Sequence, residues 1–421
     1  MKPAEPMNKG YSSLRCGLIG EHLSHSFSAP IHGLLADYPY EIRELAPDEV
    51  GDFVKNGGFD AFNVTIPYKE TVLPYLDTVS PEAKRIGSVN TVVRRSDGRI
   101  DGFNTDYFGF DAMLSASGIP VLGKKAVVLG TGGASKTVRT VLLDRGVREL
   151  IVVGRTSENN YENLYLHFDA DLIVNTTPVG MFPRNGVSPV DLSQFKQCRG
   201  VLDLIYNPAK TALLLQAESL GIPYMNGLYM LVAQAVKAFE FFTGDTAEEG
   251  IIGAITDAIE KEKQNLILIG MPACGKSTAG RLLSRMTGRS FLDGDEEFSR
   301  MHGISPAKAI ETLGEERFRQ MEHQVLCELG KQSGLIIATG GGAPTRKENY
   351  APLHQNGVIV YLWRDPATLS TEGRPLSKKT SPAELYEKRR AFYESFADRT
   401  VLGADEPEET ARRIAKAASL E

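Results

Sequence analysis

Short apolar runs alternate with stretches of helical period along most of this chain. From Leu14 to about Phe108, the runs in RCGLIG, FDAFNVTIP and SVNTVVRR read as strands set between helices, the pattern of an α/β unit. A second unit opens with KKAVVLGTGGASKTVRTVLLDRG, an apolar strand, a glycine turn and a helix. ELIVV, DLIVNTTP and GVLDLIY supply its further strands. GLYMLVAQAVKAFEFFTG then places apolar residues at helical spacing, and TAEEGIIGAITDAIEKEKQ forms an amphipathic helix that runs straight into a strand at Asn265. No Gly/Ser-rich or Pro-rich linker separates them, so the junction near 263 is expected to be short. The residues before Leu14 are expected to form a loose leader.

A length of 421 residues exceeds one ordinary core, and two or three domains are expected. The formal net charge of −6, with acidic and basic residues mixed along the chain, leaves no electrostatic footprint for nucleic acid or an anionic membrane. The sequence contains neither an apolar run of membrane-spanning length nor the apolar segment of a signal peptide. Cys16, Cys198, Cys274 and Cys327 lack metal-ligand or pairing patterns and read as reduced thiols, so a cytoplasmic location is expected. The oligomeric state is left open.

The strongest local signal is GMPACGKST, residues 270 to 278, which follows the apolar run NLILI. Backbone N–H groups of such a loop wrap phosphates, Lys276 reaches the β- and γ-phosphates, and the Ser277 hydroxyl suits Mg²⁺. Gly270, Gly275, Lys276, Ser277 and Thr278 are thus expected to cradle a nucleotide, against the plainer reading of a glycine-rich turn with a solvated lysine. Downstream, FLDGDEEF sets Asp293 and Asp295 two residues apart, one for the metal shell and one to orient a hydroxyl. GEERFRQMEH offers Arg319, ATGGGAP a triple glycine, EGRPLS Arg374, and EKRRAFYESFAD Arg389.

Taken in order, this set resembles shikimate kinase over nearly all of residues 264 to 421. The resemblance implies that Asp295 holds the ring hydroxyls of shikimate, that Arg319 and Arg389 hold its carboxylate, and that Gly341 and its neighbours line the site. Arg374 would close with a lid onto the transferring group, and Asp293 with Ser277 would hold Mg²⁺. The segment between Trp363 and Arg374 is shorter than the family's, and Cys274 replaces a small residue.

In the first half, GTGGASKT gives Gly130, Gly132, Gly133, Ala134 and Ser135, a dinucleotide-type turn between strand and helix. The next strand ends in Gly154-Arg155-Thr156 with no acid, which favours NADP(H) over NAD. SHSFSAPIH, FNVTIPYKE, GSVNTV, GFNTDYFGF, LIYNPAKT and MLVAQAVKAFEFFTG follow in the order of shikimate dehydrogenase, and the resemblance runs from about Cys16 to Glu260. It implies that Ser26 and Ser28 bind the substrate carboxylate. Asn63, Thr65, Asn90, Tyr206 and Gln234 would hold hydroxyls or the reacting centre, Lys69 and Asp106 would form the catalytic pair, and Gly227 would border the cofactor. Outside this motif context the serines would read as helix caps, and Lys69–Asp106 as an ordinary ion pair. Between Arg155 and Asp171 the chain is shorter than in the family, as if one helix–strand piece were trimmed.

The expected architecture is α/β throughout: a discontinuous substrate domain (14–107 and 226–263), a Rossmann-like NADP domain (108–225) and a P-loop domain of nucleoside-monophosphate-kinase type with a parallel sheet (264–421). The expected function is NADPH-dependent reduction of 3-dehydroshikimate followed by ATP- and Mg²⁺-dependent phosphorylation of shikimate, with small molecules as the only partners implied. Two alternatives stay open: a kinase half reduced to nucleotide sensing, and a dehydrogenase acting mainly on quinate.

Overall fold

The computed structural model describes residues 7–23, 27–369 and 381–420. The chain divides into two compact units: residues 1–179, 188–206 and 216–257 form one, and residues 180–187, 207–215 and 258–421 form the other.

The first unit holds two sheets. β1 (Cys16–Gly20), β2 (Tyr40–Glu44), β3 (Ala61–Val64), β4 (Thr78–Val79), β5 (Thr91–Arg94) and β6 (Ile100–Phe103) form a mixed sheet in the order β2-β1-β3-β5-β6-β4. β1 runs parallel to β2 and β3, whereas β5 is antiparallel to both of its neighbours. Ile19, Phe53, Phe62, Val64 and Val92 are buried in its core. The second sheet is wholly parallel: β7 (Lys125–Leu129), β8 (Glu149–Val153), β9 (Leu172–Asn175), β10 (Gly200–Asp203) and β11 (Tyr224–Met225), in the order β11-β10-β9-β7-β8. Its central strands are covered on both faces, which is why KAVVL and LIVN read as continuous apolar runs rather than alternating ones. Only a 3-10 turn, Leu164–His167, interrupts the path from β8 to β9, as the short segment after Arg155 implied.

In the second unit, β12 (Asn265–Ile269), β13 (Phe291–Asp293), β14 (Ile336–Ala338), β15 (Gly357–Trp363) and β16 (Arg399–Leu402) make a parallel sheet in the order β13-β14-β12-β15-β16. Leu266, Ile267, Leu268, Ile337, Ile359 and Leu362 are fully buried. A single residue, Gln264, separates the helix Ile251–Lys263 from β12. With β12 central, the loop at its carboxyl end lies where open parallel sheets place their ligands.

Candidate active sites

β3 carries Asn63, and the turn that follows carries Thr65 and Lys69. Val89 N donates to Lys69 O at 2.8 Å and pins that turn beside the segment that runs through Asn90 into β5. Asp106 lies in the first turn of the helix Thr105–Ser117, whose N-cap is Asn104. These elements set the Lys69 ammonium against the Asp106 carboxylate at 2.6 Å, with side chains 28% and 18% exposed. The pair is therefore neutralised yet still reachable from one side, which suits a proton donor held ready for a small ligand.

Beside it runs a buried polar network. The Asn90 side-chain oxygen accepts from Thr105 N at 2.7 Å. Asn63 donates to Thr91 Oγ1 at 3.1 Å and to Asn90 O at 3.3 Å. The Thr105 hydroxyl reaches Gln234 Oε1 at 3.3 Å. Thr65 is held by its backbone, its N–H donating to Ile19 O at 2.9 Å. Tyr206 meets Phe27 edge-on with centroids 5.2 Å apart, and burial raises its phenol above the ordinary value. Ser28 opens the helix Ser28–Leu35, yet the cap position is Phe27 and no side chain caps this helix. The Ser28 side chain instead interacts with the Tyr40 hydroxyl. Ser26 lies outside the described residues.

At the nucleotide turn of the first unit, Gly130 has a φ of +108°, and a Cβ there would come within 2.6 Å of Thr176 Oγ1. Gly132 caps the helix Gly133–Asp144. Gly132, Gly133 and Ala134 are exposed, and Cβ atoms at the two glycines would meet nothing within 4 Å. Ser135 is fully buried, and its hydroxyl has no hydrogen-bond partner among the described residues. An open helix N-terminus over small residues fits a dinucleotide's phosphates. Gly154 is buried at the end of β8, with Arg155 and Thr156 exposed beyond it, so a cation stands where the acid of an NAD site would. Gly227 caps the helix Leu228–Thr243 and donates its N–H to Ile205 O at 3.1 Å.

In the second unit the P-loop joins β12 to the helix Lys276–Thr287, with left-handed backbone at Ala273 and Gly275 and a φ of +145° at Gly270. Lys276 folds over the loop and donates to Gly270 O at 3.0 Å and Met271 O at 2.9 Å. The Ser277 hydroxyl lies 2.5 Å from Asp293 Oδ2. Two hard oxygen donors side by side at the head of a phosphate loop fit Mg²⁺, which takes few protein ligands and keeps several waters. Thr278 follows in the first turn of the same helix.

Asp293 also caps the helix Gly294–His302, accepting from Asp295 N at 3.0 Å, and so places Asp295 at the end of β13. The triple glycine after β14 packs against this cluster. A Cβ on Gly340 would lie 2.7 Å from Glu322 Oε1 and 3.1 Å from Asp295 Oδ1. One on Gly341 would lie 2.7 Å from the Pro272 ring, and one on Gly342 would collide with the Arg319 guanidinium. Arg389 donates to Gly341 O at 3.2 Å. Arg319, 7% exposed, is clamped to Glu322 at 2.7 Å and to Glu315 at 3.3 Å. Burial works against the Arg319 charge, and the two carboxylates more than offset it, raising its pKa. Burial likewise raises the Glu322 carboxyl, with Arg319 opposing. Arg374 lies outside the described residues.

Residues 272–419 match the family model described as shikimate kinase, and residues 18–92 that of the shikimate dehydrogenase substrate-binding domain. A shikimate dehydrogenase (NADP(+)) from Clostridium beijerinckii is 37% identical over 246 residues, covering 54% of this chain and 90% of that protein. The chain belongs to the shikimate dehydrogenase family and carries a shikimate kinase domain.

Solved dehydrogenases agree. Shikimate dehydrogenase 1 from Peptoclostridium difficile is 40% identical with a TM-score of 0.54, covering 60% of this chain and 98% of its own. Shikimate 5-dehydrogenase from Thermus thermophilus, solved in complex with NADP(H) and shikimate, is 34% identical with a TM-score of 0.51, covering 58% and 99%. The shikimate-dehydrogenase/shikimate-kinase chain is thus a bifunctional enzyme of the shikimate pathway, with NADP(H), and ATP with Mg²⁺, as its cofactors. Among the described residues no helix is long and apolar enough to cross a membrane.

Two features of these sites escaped the sequence reading. Glu322 stands three residues after Arg319 within the quoted GEERFRQMEH, where it looks like half of a surface pair; in the fold it is buried, paired with Arg319 and close against Gly340. Thr91 and Thr105 sit inside motifs already singled out, and their hydroxyls tie Asn63, Asn90 and Gln234 together.

Proposed function

We propose that this enzyme reduces the 3-keto group of 3-dehydroshikimate to the hydroxyl of shikimate in its first unit, and phosphorylates that hydroxyl in its second. NADPH, when bound, supplies the hydride. Lys69, held in place by Asp106, donates a proton to the oxygen that gains charge as the carbonyl is reduced. Ser26 and Ser28 take the substrate carboxylate, and Asn63, Thr65, Asn90, Tyr206 and Gln234 fix the ring. Gly130, Gly132, Gly133, Ala134 and Ser135 receive the pyrophosphate, Arg155 and Thr156 the 2′-phosphate side, and Gly154 and Gly227 border the cofactor.

In the second unit, Arg319 and Arg389 fork onto the shikimate carboxylate, which matches their planar geometry. Asp295 orients the accepting hydroxyl, with Gly341 against the ring. Gly270, Gly275, Lys276, Ser277 and Thr278 hold the ATP phosphates, Ser277 and Asp293 hold Mg²⁺, and Arg374 neutralises the group in transfer. We assign residues 14–107 and 226–263 to a substrate domain, 108–225 to an NADP domain and 264–421 to the kinase. The four free thiols support a reducing compartment, the cytoplasm.

The observation that carries this reading is that one chain holds both the Lys69–Asp106 pair at 2.6 Å and the P-loop pair Ser277–Asp293 at 2.5 Å. The test supplies shikimate to the full chain in two separate reactions. NADP⁺ should yield NADPH, and MgATP should yield ADP with shikimate 3-phosphate. Failure of either reaction removes that half of the proposal.

A further inference from the structure

Tyr40 lies between two residues to which the proposed function gives substrate contacts, and neither composition nor motif singles it out. It opens β2, the edge strand of the first sheet, in the polar run YEIRE. Its hydroxyl donates to Asn63 Oδ1 at 2.7 Å. Ser28 also interacts with this hydroxyl. The Tyr40 ring stacks on His32 with centroids 4.0 Å apart and planes within 10° of each other, and His32 Nδ1 is tied to the Tyr38 hydroxyl at 2.7 Å. His32 is fully buried and stacks further on Phe242, so the Tyr40 ring is seated on a rigid aromatic base.

This arrangement has a direction. A phenol has a single proton, and Tyr40 gives it to Asn63 Oδ1. The two ends of a carboxamide have almost the same shape, so an asparagine in a polar site keeps one orientation only where its neighbours distinguish oxygen from nitrogen. Tyr40 presents a donor to one end, and Thr91 Oγ1 and Asn90 O present acceptors to the other. The bond from Tyr40 to Asn63 uses the phenol's own proton and so does not depend on what Ser28 binds.

We infer that Tyr40 is a positioning residue of the dehydrogenase, fixing the Asn63 amide in the orientation that recognises the substrate's ring hydroxyls. The inference rests on the proposed role of Asn63. Removing the Tyr40 hydroxyl would take from Asn63 Oδ1 the donor at 2.7 Å and leave the bonds to Thr91 Oγ1 and Asn90 O to orient the amide. The cost falls on binding of the polyol, not on hydride transfer from a correctly bound one.

The test is steady-state oxidation of shikimate with NADP⁺ by the full chain. Tyr40→Phe keeps the ring on His32, and its thermal unfolding should match the parent. We expect its KM for shikimate to rise about tenfold, with kcat within about twofold and the KM for NADP⁺ unchanged. In an Asn63→Ala background the same substitution should add nothing. If Asn63→Ala raises KM and Tyr40→Phe does not, the positioning role is overturned and the assignment of Asn63 stands. If Asn63→Ala leaves KM unchanged, the underlying reading of the site is wrong and the inference falls with it. Equal losses in kcat and affinity accompanied by a lower melting temperature would make Tyr40 structural only, which also overturns the proposal.

Discussion

Ser277 Oγ stands 2.5 Å from Asp293 Oδ2, joining the first turn of the P-loop helix to the end of β13. A hydroxyl and a carboxylate at this spacing can share one divalent cation. Ser277→Ala should therefore raise the Mg²⁺ concentration that half-activates the kinase by about tenfold. Shikimate oxidation should be untouched. A Mg²⁺ titration at fixed ATP, run beside the NADP⁺ assay, checks both; an unchanged requirement would remove Ser277 from the metal shell.

Lys69→Ala should lower kcat for ketone reduction by about 10²-fold or more, because the proton donor to the developing alkoxide is lost. Phosphorylation of added shikimate should stay close to that of the parent. Rates for both half-reactions on one preparation decide the matter, and near-normal reduction would refute the role given to Lys69.

Cofactor choice turns on Arg155, an exposed cation beyond the end of β8 with no acid beside it in Gly154-Arg155-Thr156. Arg155→Ala should raise the KM for NADP⁺ about tenfold and leave that for NAD⁺ nearly unchanged. Equal effects on the two cofactors would show that Arg155 does not read the 2′-phosphate.

His32 gives a pH dependence to stability. Burial pushes its pKa down to about 3, with Asn63 opposing, from an ordinary 6.5. Between those values the unfolded chain binds a proton that the native chain does not, so stability falls as pH falls. The expected slope from this residue is about 1.4 kcal/mol per pH unit. His32→Gln should flatten that slope in urea unfolding followed by circular dichroism between pH 7 and 5. An identical slope in the two proteins would mean that His32 is not held neutral.

How much of this was legible beforehand depends on the range of the interactions. The P-loop was plain because strand, glycines, Lys276 and Ser277 are contiguous and their chemistry is local. The trimmed piece after Arg155 was plain as well, since a segment too short for a helix and a strand can hold only a turn. Glu322 was not, because a glutamate three residues from an arginine on a helix is ordinarily a solvated pair. The approach of Gly340 to Glu322 and of Gly342 to Arg319, from the loop after β14, helps make it a buried one. Tyr40 was hidden for the same reason: YEIRE looks like an exposed edge, and its partners Ser28, His32 and Asn63 come from elements that the sequence does not place beside it. Nor does any local pattern show that 180–187 and 207–215 pack within the second compact unit.

The central claim is that one chain carries out two successive reactions on the same carbon of one substrate. The most direct measurement gives the purified full chain 3-dehydroshikimate, NADPH, ATP and Mg²⁺ and identifies the final product by mass spectrometry. The expected product is shikimate 3-phosphate, formed with one NADPH and one ATP consumed per molecule and strongly slowed by either Lys69→Ala or Lys276→Ala. Accumulation of shikimate with no ADP, or consumption of ATP with no reduction of the ketone, would contradict it.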